Sequence, residues 1–214
     1  MKFRPTLWAL GLGVIAAAAS VTANAEGDAQ GDVQRGKTLA YTCHGCHGIS
    51  NYKNAYPNYS VPRLGGQHAK YLALALGEYA SGDRSHPTMH AQAATMSEQD
   101  RADIAAYLQS EVVQPATEVV GTPPPATTTC VACHGAGGAK TLNDEHPILA
   151  GQYADYIVQA LHEYKSGKRK NPIMAGIITG VDEKDFEAIA QFFSQQRGLC
   201  GTDQIRKHDK CDKE

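Results

Sequence analysis

The chain contains its own fold twice. Leu64 to Met89 aligns without a gap on Leu149 to Met174, an offset of 85, and 14 of the 26 positions are identical. The identities include Gly66/Gly151, Gln67/Gln152, Tyr71/Tyr156, Glu78/Glu163, Tyr79/Tyr164, Arg84/Arg169, Pro87/Pro172 and Met89/Met174. A duplication of this kind requires two homologous domains, so any reading of one copy is tested by the other.

Ahead of each repeat stands a second matched feature. Cys-His-Gly-Cys-His runs from Cys43 to His47, and Cys-Val-Ala-Cys-His from Cys130 to His134. C-x-x-C-H is the attachment signature of c-type haem: two thiols become thioethers to the vinyl groups, and the adjacent histidine ligates iron. A redox or zinc pair would account for one such motif, but not for two in matched surroundings. The motifs are 87 residues apart, so the second copy has lost two residues between motif and repeat. Two covalently bound haems c are expected, held by Cys43, Cys46, Cys130 and Cys133, with His47 and His134 as axial ligands.

A six-coordinate iron needs a second ligand. Met89 and Met174 follow their histidines by 42 and 40 residues and occupy the same place in the repeat. A thioether is soft and neutral, so it favours reduced iron. Met96, His86 and His90 are rivals to Met89, but they align with Val181, Asn171 and Ala175 and so lack a counterpart. A ligating histidine usually gives its other ring N–H to an acceptor. The carbonyls of the matched Pro62 and Pro147 are candidates for that role. Arg84 and Arg169 suit haem propionates, or are exposed loop arginines. Lys168 to Lys170 is a basic cluster, read as a docking patch or a solvated surface. His44, His68, His146, His162 and His208 have no matched partner and are read as surface or structural. Tyr52, Tyr56 and Tyr59 lie in a segment, 51–60, absent from the second half; it covers a haem edge or fills the domain interface.

The coarse pattern is all-α. Asp32 to Thr42 reads as a short helix capped by Asp32. Gln67 to Ala80 and Gln152 to Lys165 place Tyr71, Leu74 or Ala75, and Tyr79 near one helix face. Gly82 and Gly167 end these helices, since glycine adopts the left-handed conformation. Ser97 to Asp100 resembles a capping box ahead of Ile104, Ala105, Tyr107 and Leu108. Asp182 to Asp185 is read the same way ahead of Phe186, Ile189, Phe192 and Phe193.

Residues 1–25 carry a basic start, an apolar run and Ala23-Asn24-Ala25, the pattern of a secretory signal peptide. An uncleaved anchor is the competing reading, although the run is short for a span. The expected location is the periplasm, with peripheral membrane association as an option. Without Lys2 and Arg4 the chain has 18 basic and 22 acidic residues, net −4, so it lacks the basic face of a nucleic-acid binder. Domains are expected at 26–112 and 128–197, with a stiff Pro/Thr-rich linker at 113–127 and a tail at 198–214. In an oxidising compartment Cys200 and Cys211 are expected to form a disulfide; free thiols or crosslinks to a partner are the alternatives.

Two C-x-x-C-H domains, each with Gly-Gln-x-x-x-Tyr, Tyr-x-Ser-Gly-x-Arg and a downstream methionine, resemble di-haem cytochrome c4 over roughly residues 31–195. The resemblance implies two class I cytochrome c folds related by a pseudo-twofold axis, haems facing across the interface. It also implies an electron carrier, not an enzyme, that takes electrons from a quinol/cytochrome bc-type branch or another donor to a terminal oxidase. The redox partner is an oxidase or a dehydrogenase. Other readings are the cytochrome subunit of a periplasmic dehydrogenase, such as flavocytochrome c sulfide dehydrogenase, and a di-haem peroxidase. Two departures stand out. Proline-rich sequence replaces the leading helix of the second domain, and the tail is extra to the domain pattern.

Overall fold

The computed structural model describes Met1, residues 30–110 and residues 118–207. The expected leader lies outside the described residues apart from Met1. Among the described residues there is no named strand, only isolated bridges, and no helix is long and apolar enough to cross a membrane.

The first domain holds α1 (Val33–Leu39), a 3₁₀ turn, α2 (His44–His47), α3 (Ala69–Ser81), α4 (Pro87–Ala93) and α5 (Glu98–Gln109). The second holds α6 (Thr128–His134), α7 (Ala154–Ser166), α8 (Pro172–Thr179) and α9 (Phe186–Ser194). The helix α10 (Thr202–Lys207) follows. The duplication is visible in packing: α3 lies against α4 and α5 as α7 lies against α8 and α9.

Local chemistry sets the helix ends. Asp32 caps α1, its carboxylate accepting from Gln34 N at 2.8 Å and Arg35 N at 3.1 Å. Gly82 and Gly167 close α3 and α7 at φ +82° and +74°. The Ser97 capping box is complete, with Asp100 returning to the Ser97 N–H. The Asp182 segment is not the same device. Asp182 accepts from Lys184 N, and a 3₁₀ turn intervenes before α9.

The inner residues of α5 and α9 are buried as expected, with Phe186 and Phe193 at 0 % exposure. Burying such a ring is worth roughly 1.5–3 kcal/mol over leaving it in water. On α3 the buried positions are Leu72 and Ala75; Leu74 is exposed, because a side chain one position off the stripe points to solvent. The core of the first domain joins Ala40, Leu72, Ile104, Ala105, Tyr107 and Leu108. That of the second gathers Ile157, Leu161, Tyr164, Ile178 and Val181 around the α9 aromatics.

The described parts of the connector and tail make specific contacts. The second domain has no counterpart of α1 among the described residues, and the connector is pinned at Val120. Val120 N donates to Gln196 Oε1 at 2.8 Å, and Gln196 Nε2 returns to Val120 O at 2.9 Å. Gln196 is only 3 % exposed, so these bonds satisfy groups that would otherwise be buried unpaired. The tail is equally structural. Leu199 packs with Ile148 and Ala150 of the second domain. Cys200 then exchanges both backbone bonds with Gly65, at 2.9 and 3.1 Å, and Ile205 enters the core of the first domain. The tail thus fastens the second domain onto the first, with α10 against α2. Cys200 is disulfide-bonded; Cys211 lies outside the described residues.

Candidate haem sites

In each domain a short helix presents two cysteines and a histidine. Cys43 ends the 3₁₀ turn, and Cys46 and His47 follow in α2; in the second domain Cys130, Cys133 and His134 all lie in α6. The i, i+3 spacing of the thiols puts both on one side of the helix. All four are free thiols here. Cys43 and Cys130 pack against their domain cores, and burial pushes both thiols upward in pKa.

The histidines are set identically. His47 Nδ1 lies 2.8 Å from Pro62 O, and His134 Nδ1 lies 2.8 Å from Pro147 O. A carbonyl can only accept, so Nδ1 carries the proton and Nε2 keeps its lone pair. Burial lowers the His47 pKa to about 4, against the opposing pull of Pro62 O, and lowers His134 in the same way. Both rings are therefore neutral at pH 7, with a nitrogen available to a metal.

Met89 and Met174 lie in the first turns of helices α4 and α8. Pro87 and Pro172 occupy the first helical positions of α4 and α8, and the residues before them are the caps. Asn171 Oδ1 accepts from Met174 N at 3.0 Å; His86 Nδ1 accepts from Met89 N at 3.2 Å. His86 thus performs the work of Asn171, and its Nε2 faces Asn54 Oδ1 at 3.3 Å. With both nitrogens engaged it is a cap, not a rival ligand. His90 Nδ1 meets Tyr79 O at 2.8 Å, and Met96 packs against the core of the first domain. Met174 is half-buried against the core of the second.

Arg84 and Arg169 are not loop arginines in solvent. Each is 4 % exposed. They face each other in an isolated antiparallel bridge, flanked by Ser85 N to Lys168 O at 3.0 Å and Lys170 N to Asp83 O at 2.8 Å. Arg84 donates to the Tyr156 hydroxyl and Arg169 to that of Tyr71. Each guanidinium also lies 4.5 Å from a ring centroid, Tyr79 and Tyr164 respectively. Every one of these contacts has its mate at the 85-residue offset, the signature of a twofold relation. Arg169 therefore leaves the expected basic patch, and Lys170 pairs across the domains with Asp83 at 3.0 Å.

The segment 51–60 fills the interface. Ser60 donates through N and Oγ to Asp155 Oδ2 at 3.0 and 2.9 Å, and Lys53 reaches the same oxygen at 3.0 Å. Tyr59 is buried against Tyr156, whereas Tyr56 is 97 % exposed. His68 also lies at the interface, its Nε2 2.9 Å from Thr141 Oγ1.

The residues fit a haem in each domain. Both thiol pairs, both ligand-ready imidazoles and both methionine helices are present. Two guanidinium groups are buried, with each Nε lacking a hydrogen-bond partner among the described residues. A buried cation is costly without an anion nearby, and porphyrin propionates would supply one.

Known proteins agree. The family model for cytochrome c matches residues 33–111 and 126–196. Cytochrome c4 of Pseudomonas aeruginosa is 30% identical over an alignment of 185 residues that covers 77% of this chain and 88% of that protein. A thiosulfate dehydrogenase electron acceptor of Stutzerimonas stutzeri is 30% identical over an alignment of 174 residues that covers 72% of this chain and 79% of that one. The crystal structure of reduced cytochrome c4 from Pseudomonas stutzeri superposes with a TM-score of 0.61 at 26% identity, covering 78% of this chain and 100% of that one. The duplicated motif, the twofold interface and these likenesses lead to one conclusion: the chain belongs to the cytochrome c family, as a two-domain electron-transfer protein of the di-haem cytochrome c4 type carrying two covalently bound haems c.

Proposed function

We propose that this chain is an exported electron carrier that takes electrons from a respiratory donor, such as a quinol/cytochrome bc-type branch, to a terminal oxidase. Cys43, Cys46, His47 and Met89 hold one haem; Cys130, Cys133, His134 and Met174 hold the other. The observation that carries this reading is the identical setting of both sites, each with a proline-bonded histidine and a capped methionine helix. Bound haem supplies a one-electron couple to each domain. The chain's own part is to fix ligands and charge. Pro62 O and Pro147 O orient the imidazoles and make them more basic. Methionine sulfur favours the reduced state. Arg84 and Arg169 hold propionate charge at the interface, where Tyr71 and Tyr156 keep the guanidinium groups in place. A peroxidase needs one displaceable ligand, and the matched methionines speak against it.

A second reading concerns the donor. One relative is named for accepting electrons from thiosulfate dehydrogenase, which favours a sulfur-oxidising enzyme as the electron source. Stopped-flow mixing separates the two. The reduced protein should be oxidised by its host's membranes in a reaction blocked by an oxidase inhibitor. The oxidised protein should be reduced by thiosulfate only when a thiosulfate dehydrogenase is added if the second reading holds. Inertness in both reactions would reject the terminal oxidase as acceptor and thiosulfate dehydrogenase as donor.

A further inference from the structure

Gln67 and Gln152 are repeat identities with no ligand to hold, yet both are nearly buried, at 3 % and 5 % exposure. Each reaches into the other domain. Gln152 Oε1 accepts from Arg63 N at 2.9 Å, and its Nε2 donates to Arg63 O at 2.9 Å. Gln67 Oε1 accepts from Ile148 N at 2.9 Å, and its Nε2 donates to Ile148 O at 3.0 Å. Arg63 and Ile148 are the residues that directly follow Pro62 and Pro147. The Arg63 N–H therefore belongs to the same peptide group as the Pro62 carbonyl, and the Ile148 N–H to that of Pro147.

This produces two mirror-related hydrogen-bond chains, each crossing the domain boundary once. In the first domain one runs from His47 Nδ1–H to Pro62 O, through the peptide to Arg63 N–H, and on to Gln152 Oε1 of the second domain. The mirror chain runs from His134 through the Pro147 peptide to Gln67. An amide that donates at nitrogen becomes a better acceptor at oxygen, because successive bonds polarise one another. A better acceptor on Nδ1–H makes the imidazole more electron-rich and stabilises oxidised iron.

We propose that Gln67 and Gln152 are crosswise positioning residues: each sets the basicity of the axial histidine in the opposite domain and so tunes the opposite haem. The inference rests on His47 and His134 being haem ligands. It goes beyond carrier function by giving each domain a named handle on its neighbour's potential.

The test is a redox titration of Gln152→Leu and Gln67→Leu holoprotein, followed by NMR of the haem-methyl signals. Domain assignment comes from Met89→His and Met174→His proteins. Gln152→Leu should raise the reduction equilibrium constant of the first haem about threefold, ~28 mV at 59 mV per tenfold for one electron. The second haem should move far less, and Gln67→Leu should give the reverse pattern. Gln152→Glu keeps an acceptor for Arg63 N–H, and a carboxylate is a stronger one, so the first haem should stay at or fall below the wild-type value and never rise as in the leucine protein; it serves as the readout if the leucine protein folds poorly. Hydrogen exchange at the Arg63 amide should accelerate in Gln152→Leu and not in Gln152→Glu. Shifts confined to the domain that carries the substitution, equal shifts at both haems, or no shift with a lost Arg63 bond would each overturn the proposal. An optical spectrum showing haem without histidine ligation would instead reject the ligand reading beneath it.

Discussion

Two glycines in the first domain should respond oppositely to alanine. Gly36 lies where α1 crosses α5, and a Cβ built there would sit 1.9 Å from Asp103 O and 3.0 Å from Tyr107 Cβ. Backbone cannot rotate away as a side-chain tip can. Contact near 3.5 Å would need the helices to part by about 1.5 Å. Overpacking of this kind costs about 1–3 kcal/mol or more, and the better helix propensity of alanine returns only about 1. Separation would also strain the Arg35 bridges to Asp100 and Asp103 that join the two helices. A net loss of about 2 kcal/mol is expected, which at a slope of ~4 kcal/mol/M lowers the guanidinium midpoint by ~0.5 M. Gly77, within α3, has nothing within 4 Å of its built Cβ. The matched residue in α7 is His162, with a half-exposed side chain, so the position faces outward. Gly77→Ala should stabilise by about 0.5–1 kcal/mol. Both proteins would be unfolded in guanidinium with far-ultraviolet dichroism and the haem band followed together, because two domains need not unfold in one step. Equal midpoints for Gly36→Ala and wild type, or a loss in Gly77→Ala as large as in Gly36→Ala, would refute the packing argument.

Three further outcomes follow from other contacts. Ile205→Ala should cost about 2–5 kcal/mol, and the loss should appear in the first domain although residue 205 follows the second in sequence; amide exchange resolved by domain would show a loss in the second domain if the tail does not dock. Asp100 is held at about 2, chiefly by the Ser97 hydroxyl and amide and then by Arg35, while Asp103 is lowered by Asp32 N–H and Arg35. A depressed carboxylate stabilises the fold above its unfolded value near 4 and loses that contribution as pH falls toward 2. Acid unfolding at constant ionic strength should therefore be shallower in Asp100→Asn, and an unchanged acid limb would contradict the assignment. Arg84→Leu should weaken the domain interface and alter the haem spectrum, and Tyr156→Phe, which removes only the hydroxyl that holds the guanidinium, should do both to a smaller degree. Spectra identical to wild type in Arg84→Leu would remove the propionate role.

Local signals carried well into the structure because they act within a few residues. The Asp32 cap, the Ser97 box, Gly82 and Gly167 each close a bond to a near neighbour, and the apolar stripe of α5 buries the four residues its spacing selects. What escaped the sequence is long-range. Gln67 and Gln152 were visible as identities, and a buried polar identity in a duplicated chain is itself a signal of pairing between copies. Their partners, 81 and 89 residues away, follow only from how the domains dock. The same holds for Arg84 and Arg169, read as propionate partners or as exposed loop arginines, and buried because the two loops pair. Ile205 lies in a six-residue helix too short for its periodicity to declare a core face. His86 stood only as an unmatched rival to Met89, and the bond from Met89 N reveals it as a cap.

The central claim is that each domain completes its iron with its own methionine. Methionine ligation gives oxidised haem a weak far-red sulfur-to-iron absorption band, and the holoprotein should contain two haems per chain. Met89→Ala and Met174→Ala should each remove about half of that band, and the double substitution should abolish it. A band of full intensity in the double variant, or a wild-type spectrum of high-spin haem, would contradict the account.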